Sequence, residues 1–476
     1  MKHNSTHNPS AYRKKRLFCE LFAMVIILLV GLFFIRYYLV LSLLPLFYLL
    51  HEILFADHIF YHPRQDYQYT FKADHQHDVL LVNGKIQPLT IKKTADDEKE
   101  QIITWLLSFI LSPKISGHIC DPYVEIRCGT YKNSQYFERG AAGKRYLDLS
   151  AAIGSDPENI SKLSLHFHHC SAKKQTAVLL KFLSPDITKK RILIIAPHAD
   201  DAEIAAFGLY SQSDDTHIVT LTAGETEVKD YLSVCANPEE ASRFKGRLRA
   251  MDSIAVPLWG GIPQERCIQL GYFCKQLPVM CSMPETAVKS PNANISDTRF
   301  FRKYNRYKLT SDTTGKATWN NLILDLTEII ERIRPEIILT PQPDLDPHPD
   351  HYYGTKAVDQ ALTTTDCQPE MILYYANHYK TTDRFPFGPE HTIASLPPHF
   401  GAPPNISTVV SLPLKSQQQR DKVFALKMMH DLKGRQKLKK RIRSQLQRMI
   451  GRKPNYYGEN DYFRKAIRNN ELFYKR

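Results

Sequence analysis

The chain has 476 residues, 43% of them hydrophobic, and a formal net charge of +14. That length allows two or three domains around a substantial core, as in a globular protein. Its nine cysteines include no CxxC pair, which excludes a zinc ribbon or a thioredoxin-type motif. An odd count that includes Cys19, inside an apolar run, argues against a disulfide framework, although an oxidising compartment would allow Cys120 and Cys128 to pair.

Residues 1–16 are polar and end in the basic cluster Arg13 to Arg16. Residues 17–55 hold two apolar runs, "LFCELFAMVIILLVGLFFI" and "YYLVLSLLPLFYLLHEILF", divided at Arg36. The region is too long for a signal peptide and lacks a small-residue cleavage site. A membrane-spanning helix takes about 20 residues. The reading is therefore a transmembrane segment, favoured as a two-helix hairpin over one tilted helix with an interfacial extension. The basic cluster places the N-terminus in the cytoplasm. A hairpin then predicts a membrane protein of the inner or plasma membrane, with the bilayer as a partner and the catalytic domain on the cytoplasmic side.

Residues 56–186 carry short alternating runs, among them "YVEIRC", "KRYLDLS", "KLSLHFHH" and "TAVLLKFL". Period-two alternation broken by turn residues predicts antiparallel strands in a small β-sandwich-like domain. His166, His168 and His169 are read as exposed strand histidines, because no cysteine or carboxylate is spaced with them. The region either binds sugar or spaces the next domain from the membrane.

At residue 187 the rhythm changes. "RILIIAP" is a continuous apolar run, as expected of a strand buried on both faces of a parallel sheet. A helical pattern follows, "DAEIAAFGLYSQ", then "HIVTLTAGE", a Lys/Arg-rich helix, and "WNNLILDLTEIIERIR" with apolar residues at 322, 323, 326, 329 and 330. "PEIILTPQPDLDPHPDH" supplies another buried strand and a polar loop. Strands alternating with helices predict an α/β domain over 187–415, Rossmann-like with a mostly parallel sheet. Ligands of such sheets collect beyond the carboxyl ends of the strands.

Two polar constellations fall at such ends. His198, Asp200 and Asp201 follow the first strand, and His348, Asp350 and His351 follow the strand "EIILT". Two imidazoles and a carboxylate suit Zn²⁺ and leave coordination positions open for water and substrate. A carboxylate left outside the ligand set is placed to take a proton from that water. The plainer alternative makes Asp200 or Asp201 a helix cap and "HPDH" a polar turn. Two motifs at two ends of one sheet favour the site.

These motifs resemble the PIG-L/LmbE-like zinc de-N-acetylases. The family's first motif, roughly Pro/Ala-His-Pro-Asp-Asp-Glu, is seen as "PHADDAE", and its late His-x-Asp-His as "HPDH" at 348–351. Thr222, Gly224 and Glu225 match its Thr-x-Gly-Glu strand end, and Arg249 with Asp252 loosely match its Arg-x-x-Glu helix. The resemblance covers about 189–400. It implies His198, Asp201 and His351 as the ligands of one zinc ion per chain. It implies Asp200 as general base, and His348 as oxyanion stabiliser and proton donor to the leaving amine, with Asp350 orienting its ring. Arg249 and Glu225 are the implied substrate-binding residues. The family's proline is Ala199 here, and its glutamate after the Asp pair is Ala202, with Glu203 one place later.

The function expected is a membrane-anchored zinc amidohydrolase that deacetylates an N-acetylated amino sugar of a glycolipid, lipid-linked sugar or polysaccharide precursor. The alternatives are a metal-dependent hydrolase of another amide or a phosphoester, and a non-catalytic saccharide-binding membrane protein. Residues 416–476 form a basic helical C-terminal region. Leu438, Ile442, Leu446 and Met449 recur there at helical spacing among Lys and Arg. The stripe reads as a solvated basic helix or as one lying on an anionic membrane surface, with nucleic acid excluded as a partner. The oligomeric state is left open.

Overall fold

The structure is a computed structural model that describes residues 9–34, 37–54, 61–87, 101–306, 308–379, 382, 384–433, 438–458 and 461–476. The first eight residues, the turn expected near Arg36 and residues 434–437 of the basic stretch lie outside the described residues.

The N-terminal apolar region forms two helices, α1 (Pro9–Phe34, 26 residues) and α2 (Tyr37–Leu54, 18 residues). They pack together, with His51 Nε2 3.5 Å from Glu20 Oε2. Among the described residues, no helix is long and apolar enough to cross a membrane. The basic cluster and Glu20 occupy the first half of α1, and α2 holds Pro45 inside it and His51 in its last turn. Neither helix therefore offers the roughly 20 apolar residues that a span requires. This corrects the expected transmembrane segment, and with it the membrane location and the bilayer as partner.

Nine strands follow: β1 (His75–Val82), β2 (Lys85–Gln87), β3 (Gln101–Pro113), β4 (Tyr123–Cys128), β5 (Tyr131–Tyr136), β6 (Gly143–Asp148), β7 (Leu163–His168), β8 (Cys170–Ser171) and β9 (Gln175–Pro185), with a one-turn helix α3 (Ser150–Ile153) after β6. They form a six-stranded sheet ordered β2-β1-β9-β3-β6, with β8 paired to β3, and a three-stranded sheet ordered β5-β4-β7. All pairings are antiparallel. Alternate residues explain the packing: Val124 and Ile126 of β4 turn inward to meet Trp105, Leu107 and Phe109 of β3. The other face of β3, with Leu106, joins Tyr146, Leu180 and Phe182 against Tyr374, Val409 and Tyr474 of the second large sheet.

That sheet contains β10 (Ile192–Ala196), β11 (Thr216–Thr222), β12 (Cys267–Tyr272), β13 (Ile337–Pro341), β14 (Met371–Tyr375), β15 (Thr408–Pro413) and β16 (Asn470–Lys475). Its order is β12-β11-β10-β13-β14-β16-β15, parallel from β12 to β14 and antiparallel at β16 and β15. β10 shows why the strand reads as uninterrupted apolar sequence. Ile192 and Ile194 enter one core layer, while Leu193 and Ile195 enter the other. The helices are α4 (Asp201–Tyr210), α5 (Pro238–Ala255), α6 (Leu277–Ser282), α7 (Arg299–Arg302), α8 (Trp319–Ile333), α9 (Pro349–Leu362), α10 (Ser416–Met428), α11 (Leu438–Met449) and α12 (Asp461–Ala466). α8 starts on Thr318, whose side chain accepts from the Asn321 N–H, and buries Leu322, Leu326, Ile329, Ile330 and Ile333. Each such side chain contributes about 1.5–3 kcal/mol by leaving water.

Two features position the site. The chain builds outward from β10 to β12 on one side, then crosses to β13 and β14 on the other, so the strand order reverses between β10 and β13. A crevice opens at the carboxyl ends of two strands that diverge in this way. Second, β16 pairs with β14 and β15, so residues beyond 415 complete the sheet. In α11, Leu438, Ile442 and Met449 are exposed, and the Lys439 ammonium stands 5.7 Å from the Tyr48 ring of α2.

Candidate metal centre and catalytic site

The turn after β10 carries the first constellation. The Pro197 carbonyl accepts from the Thr222 N–H at 3.0 Å and from Thr222 Oγ1 at 2.9 Å, which ties the turn to the end of β11. Asp201 opens α4, where the positive end of the helix favours a carboxylate. One of its oxygens, Oδ2, accepts from the His198 N–H at 2.9 Å, and the other accepts from Asn377 Nδ2 at 2.8 Å. The second constellation opens α9. Pro349 occupies the first helical turn, His348 is the cap, and His351 points inward, fully buried.

The two turns meet. His198 Nδ1 lies 3.1 Å from Asp201 Oδ2, His351 Nε2 lies 3.1 Å from the same oxygen, and the two ring nitrogens are 3.3 Å apart. Three donors bound to one tetrahedral ion at about 2.0–2.2 Å stand about 3.3 Å from each other, so this triangle has the size of a zinc ligand face.

The outer nitrogens of the rings decide what the inner ones carry. His198 Nε2 faces Asp350 Oδ2 at 3.2 Å, and His351 Nδ1 faces Asp346 Oδ2 at 2.8 Å. A carboxylate behind an imidazole holds the ring proton on the outer nitrogen and leaves a lone pair on the inner one. Three electron pairs then converge on one point, an arrangement that calls for a cation. The charges agree. Burial alone would lower the pKa of both rings, yet Asp201 and Asp350 raise that of His198, and Asp201 and Asp346 push that of His351 up to about 10. A divalent ion satisfies the same demand for positive charge.

Asp346 is the anchor that sequence reasoning missed. Besides His351 it accepts from the N–H groups of His348, Asn377 and His378, each at 3.1 Å. Burial opposes its ionisation, but His351 and these donors hold its carboxyl below the usual range. It stands in the quoted loop "PDLDPHPDH", so its presence was visible and its role was not. Asn377 and His378 lie just beyond β14, a strand end whose polar residues the sequence did not single out. His378 also joins Asp201 and His351 in one of the donor groups close enough to share a metal ion. Cys274, with Sγ 3.8 Å from His198 Nε2, joins His198 and Asp350 in another.

Other expected residues are placed differently from their implied roles. The Asp350 carboxylate faces His198 and accepts from the Lys275 N–H at 2.7 Å, and only its backbone N–H reaches His348, donating to Nδ1 at 3.2 Å. His348 thus meets the Asp350 backbone, while the Asp350 side chain lies behind His198. His348 is half-buried, and burial with the charge on its neighbours His198 and His351 brings its pKa down to about 4. Glu225 is fully buried and accepts from Ser290 Oγ at 2.7 Å and the Cys274 N–H at 3.2 Å, so its oxygens face protein. Arg249 donates to Asp200 Oδ1 at 2.9 Å and to Asp431 Oδ2 at 2.6 Å. Glu203 is also buried and lies 3.3 Å from the Tyr210 hydroxyl.

Residues 193–362 match the family model described as PIG-L, GlcNAc-PI de-N-acetylase. No curated protein matches. Solved structures similar to this chain include N,N'-diacetylchitobiose deacetylase from Pyrococcus horikoshii, at 14% identity and TM-score 0.31, over 60% of this chain and 82% of that one. The 4-carboxy-2-hydroxymuconate hydratase GalB from Pseudomonas putida KT2440 aligns at 15% identity and TM-score 0.32, over 60% and 95% of the two chains. A deacetylase triple mutant from the teicoplanin biosynthetic pathway aligns at 13% identity and TM-score 0.29, over 60% and 97%. The family match spans β10 to α9 and takes in both constellations.

Proposed function

We propose that the chain is a zinc-dependent amidohydrolase that removes the acetyl group from an N-acetylated amino sugar. The observation that carries the chemistry is the convergence of three lone pairs, from His198, Asp201 and His351, at tetrahedral spacing. The description of the matched family supports the sugar. Zinc held by those residues would polarise the acetyl carbonyl and make a water molecule more acidic.

The remaining steps belong to the protein. Asp200 sits beside the triangle, outside it, with Arg249 holding one oxygen. It takes the proton from water as the water oxygen adds to the carbonyl carbon. His348 is neutral, and because its Nδ1 accepts from the Asp350 N–H its proton sits on Nε2. It donates that N–H to the developing oxyanion. A neutral imidazole is a poor acid, so the return of the proton to the nitrogen as the C–N bond breaks falls to Asp200 and not to His348, the donor that the family resemblance implies. The products are the amine and acetic acid, which part in solution as ammonium and acetate. Asp350 and Asp346 keep the His198 and His351 rings aimed inward throughout.

The test is direct. The purified full chain, loaded with zinc, is incubated with N-acetylglucosamine conjugates, and acetate release and loss of one acetyl group by mass spectrometry are followed. Release that a chelator stops and zinc restores is expected. A metal-loaded, folded chain that releases acetate from none of them overturns the reading.

A further inference from the structure

The turn His430–Lys433 follows α10 and lies outside the stretch matched by the family model, yet its His430 and Asp431 side chains meet α5 beside the site. His430 Nδ1 lies 2.6 Å from Asp252 Oδ1, and the His430 N–H donates to Asp252 Oδ2 at 2.9 Å. Earlier on α5, Asp431 Oδ1 is 2.9 Å from Lys245 Nζ, about two turns before Asp252, while its Oδ2 accepts from Arg249 Nη1, about one turn before it, at 2.6 Å. The other terminal nitrogen of Arg249 donates to Asp200 Oδ1 at 2.9 Å. One planar guanidinium therefore joins the turn after β10 to a segment 231 positions further along the chain (431 minus 200).

Two further facts show that this guanidinium is built in. Arg249 is only 5% exposed. It also lies against Gly224, at φ +64°, where a Cβ would come within 2.3 Å of Arg249 Nε. Packing fixes the plane on one side, and the two carboxylates fix its two ends. An arginine held at one end only keeps a flexible stem and can follow whichever carboxylate moves, whereas held at both ends it transmits position.

We propose that Asp431 is a positioning residue for the deacetylation, acting through Arg249 to fix the direction of the Asp200 carboxylate. This rests on the reading of Asp200 as the base. The Asp200 oxygen that Arg249 does not hold is then the one that meets water. A reacting group displaced by about 1 Å loses rate while leaving substrate affinity largely intact. The His430–Asp252 pair anchors the same turn, so Asp431 arrives at Arg249 already ordered.

The experiment uses the full chain as wild type, Asp431→Asn, Asp431→Glu, Asp200→Asn and the Asp200→Asn/Asp431→Asn double variant, each checked for zinc content and folding. Asp431→Asn should lower kcat about ten- to a hundredfold, with KM within about twofold of wild type. Asp431→Glu should recover part of that loss, and the double variant should be no slower than Asp200→Asn alone. Wild-type kcat in Asp431→Asn, a loss confined to KM, or losses that multiply in the double variant would overturn the proposal. If the wild type deacetylates nothing, the functional reading falls and the linkage is judged by thermal unfolding. Coupled melting shifts for the two substitutions then support it, and additive shifts reject it.

Discussion

Of two histidine groups among the described residues, one on and beside β7 and one at the ends of β10 and β13, the second is built like a metal centre. On and beside β7, His166 Nε2 is 3.4 Å from Ser164 Oγ, His168 stacks on Tyr123 at 4.4 Å, and His169 Nδ1 is 3.1 Å from Ser116 Oγ. At the ends of β10 and β13, His198 and His351 each have a carboxylate behind the ring and a shared carboxylate in front. The residue type is the same in both places. What differs is the partner of the outer nitrogen, because hydroxyls and aromatic faces leave a ring free to choose its tautomer and a carboxylate does not.

The contrast is broken most severely by removing a ring from each cluster. His351→Ala deletes one of three converging donors and leaves Asp346 and Asp201 facing each other across the gap. Zinc content measured on the purified protein should fall from about one equivalent to a trace, and turnover with it. His168→Ala, which loses a stack on Tyr123, should change neither. Full metal retention in His351→Ala would remove His351 from the ligand set.

Next in size is Asp200→Asn. The amide keeps the shape of the side chain but cannot take a proton from water. Because the three inner donors are untouched, zinc content should stay at the wild-type level while kcat falls at least about a hundredfold. Undiminished turnover in a metal-loaded variant excludes Asp200 as the base.

A milder change keeps every ligand and alters what stands behind one. Asp346→Asn removes the charge opposite His351 Nδ1. Zinc affinity, read by competition with a chelator, should weaken about ten- to a hundredfold. The matching change beside β7, Ser116→Ala, should leave zinc affinity as it was. Equal affinities for wild type and Asp346→Asn would mean that His351 is oriented by packing alone.

How much of this was legible follows the range of each interaction. His198, Asp201 and His351 could be singled out as candidates because each lies within ten residues of the end of an uninterrupted apolar strand, and strand ends are where parallel sheets place ligands. Asp346 shares its loop with His351, but its function depends on Asn377 and His378 arriving from beyond β14, a pairing that sequence spacing does not encode. Asp431 was illegible for the same reason across a longer distance. The expected division at 415 separated it from a sheet that β16 completes. The division of the apolar N-terminus into two helices was legible, but their spanning a membrane was not, because α1 includes the basic cluster and Glu20 and α2 holds Pro45. Here α1 ends at Phe34 and α2 begins at Tyr37.

The smallest effect concerns a buried carboxylate with no imidazole to face. Asp148, between β6 and β16, accepts from the Ser150 N–H at 2.9 Å and from Asn470 Nδ2 at 3.0 Å, both neutral donors. Burial outweighs them and raises its pKa above the ordinary 3.8, the opposite of Asp346. The folded state therefore keeps the Asp148 proton at pH values where the unfolded chain has lost it. Its contribution to stability is present at low pH and declines as pH rises through the folded pKa, because over that window the unfolded state binds fewer protons. Asp148→Asn removes the titration. Whatever its absolute Tm, the variant should gain on the wild type by about 1–3 °C as pH is raised from acid toward neutrality. Parallel Tm profiles for the two proteins would show that the neutral donors are enough to ionise a buried carboxylate, and the contrast with Asp346 would then lose its physical basis.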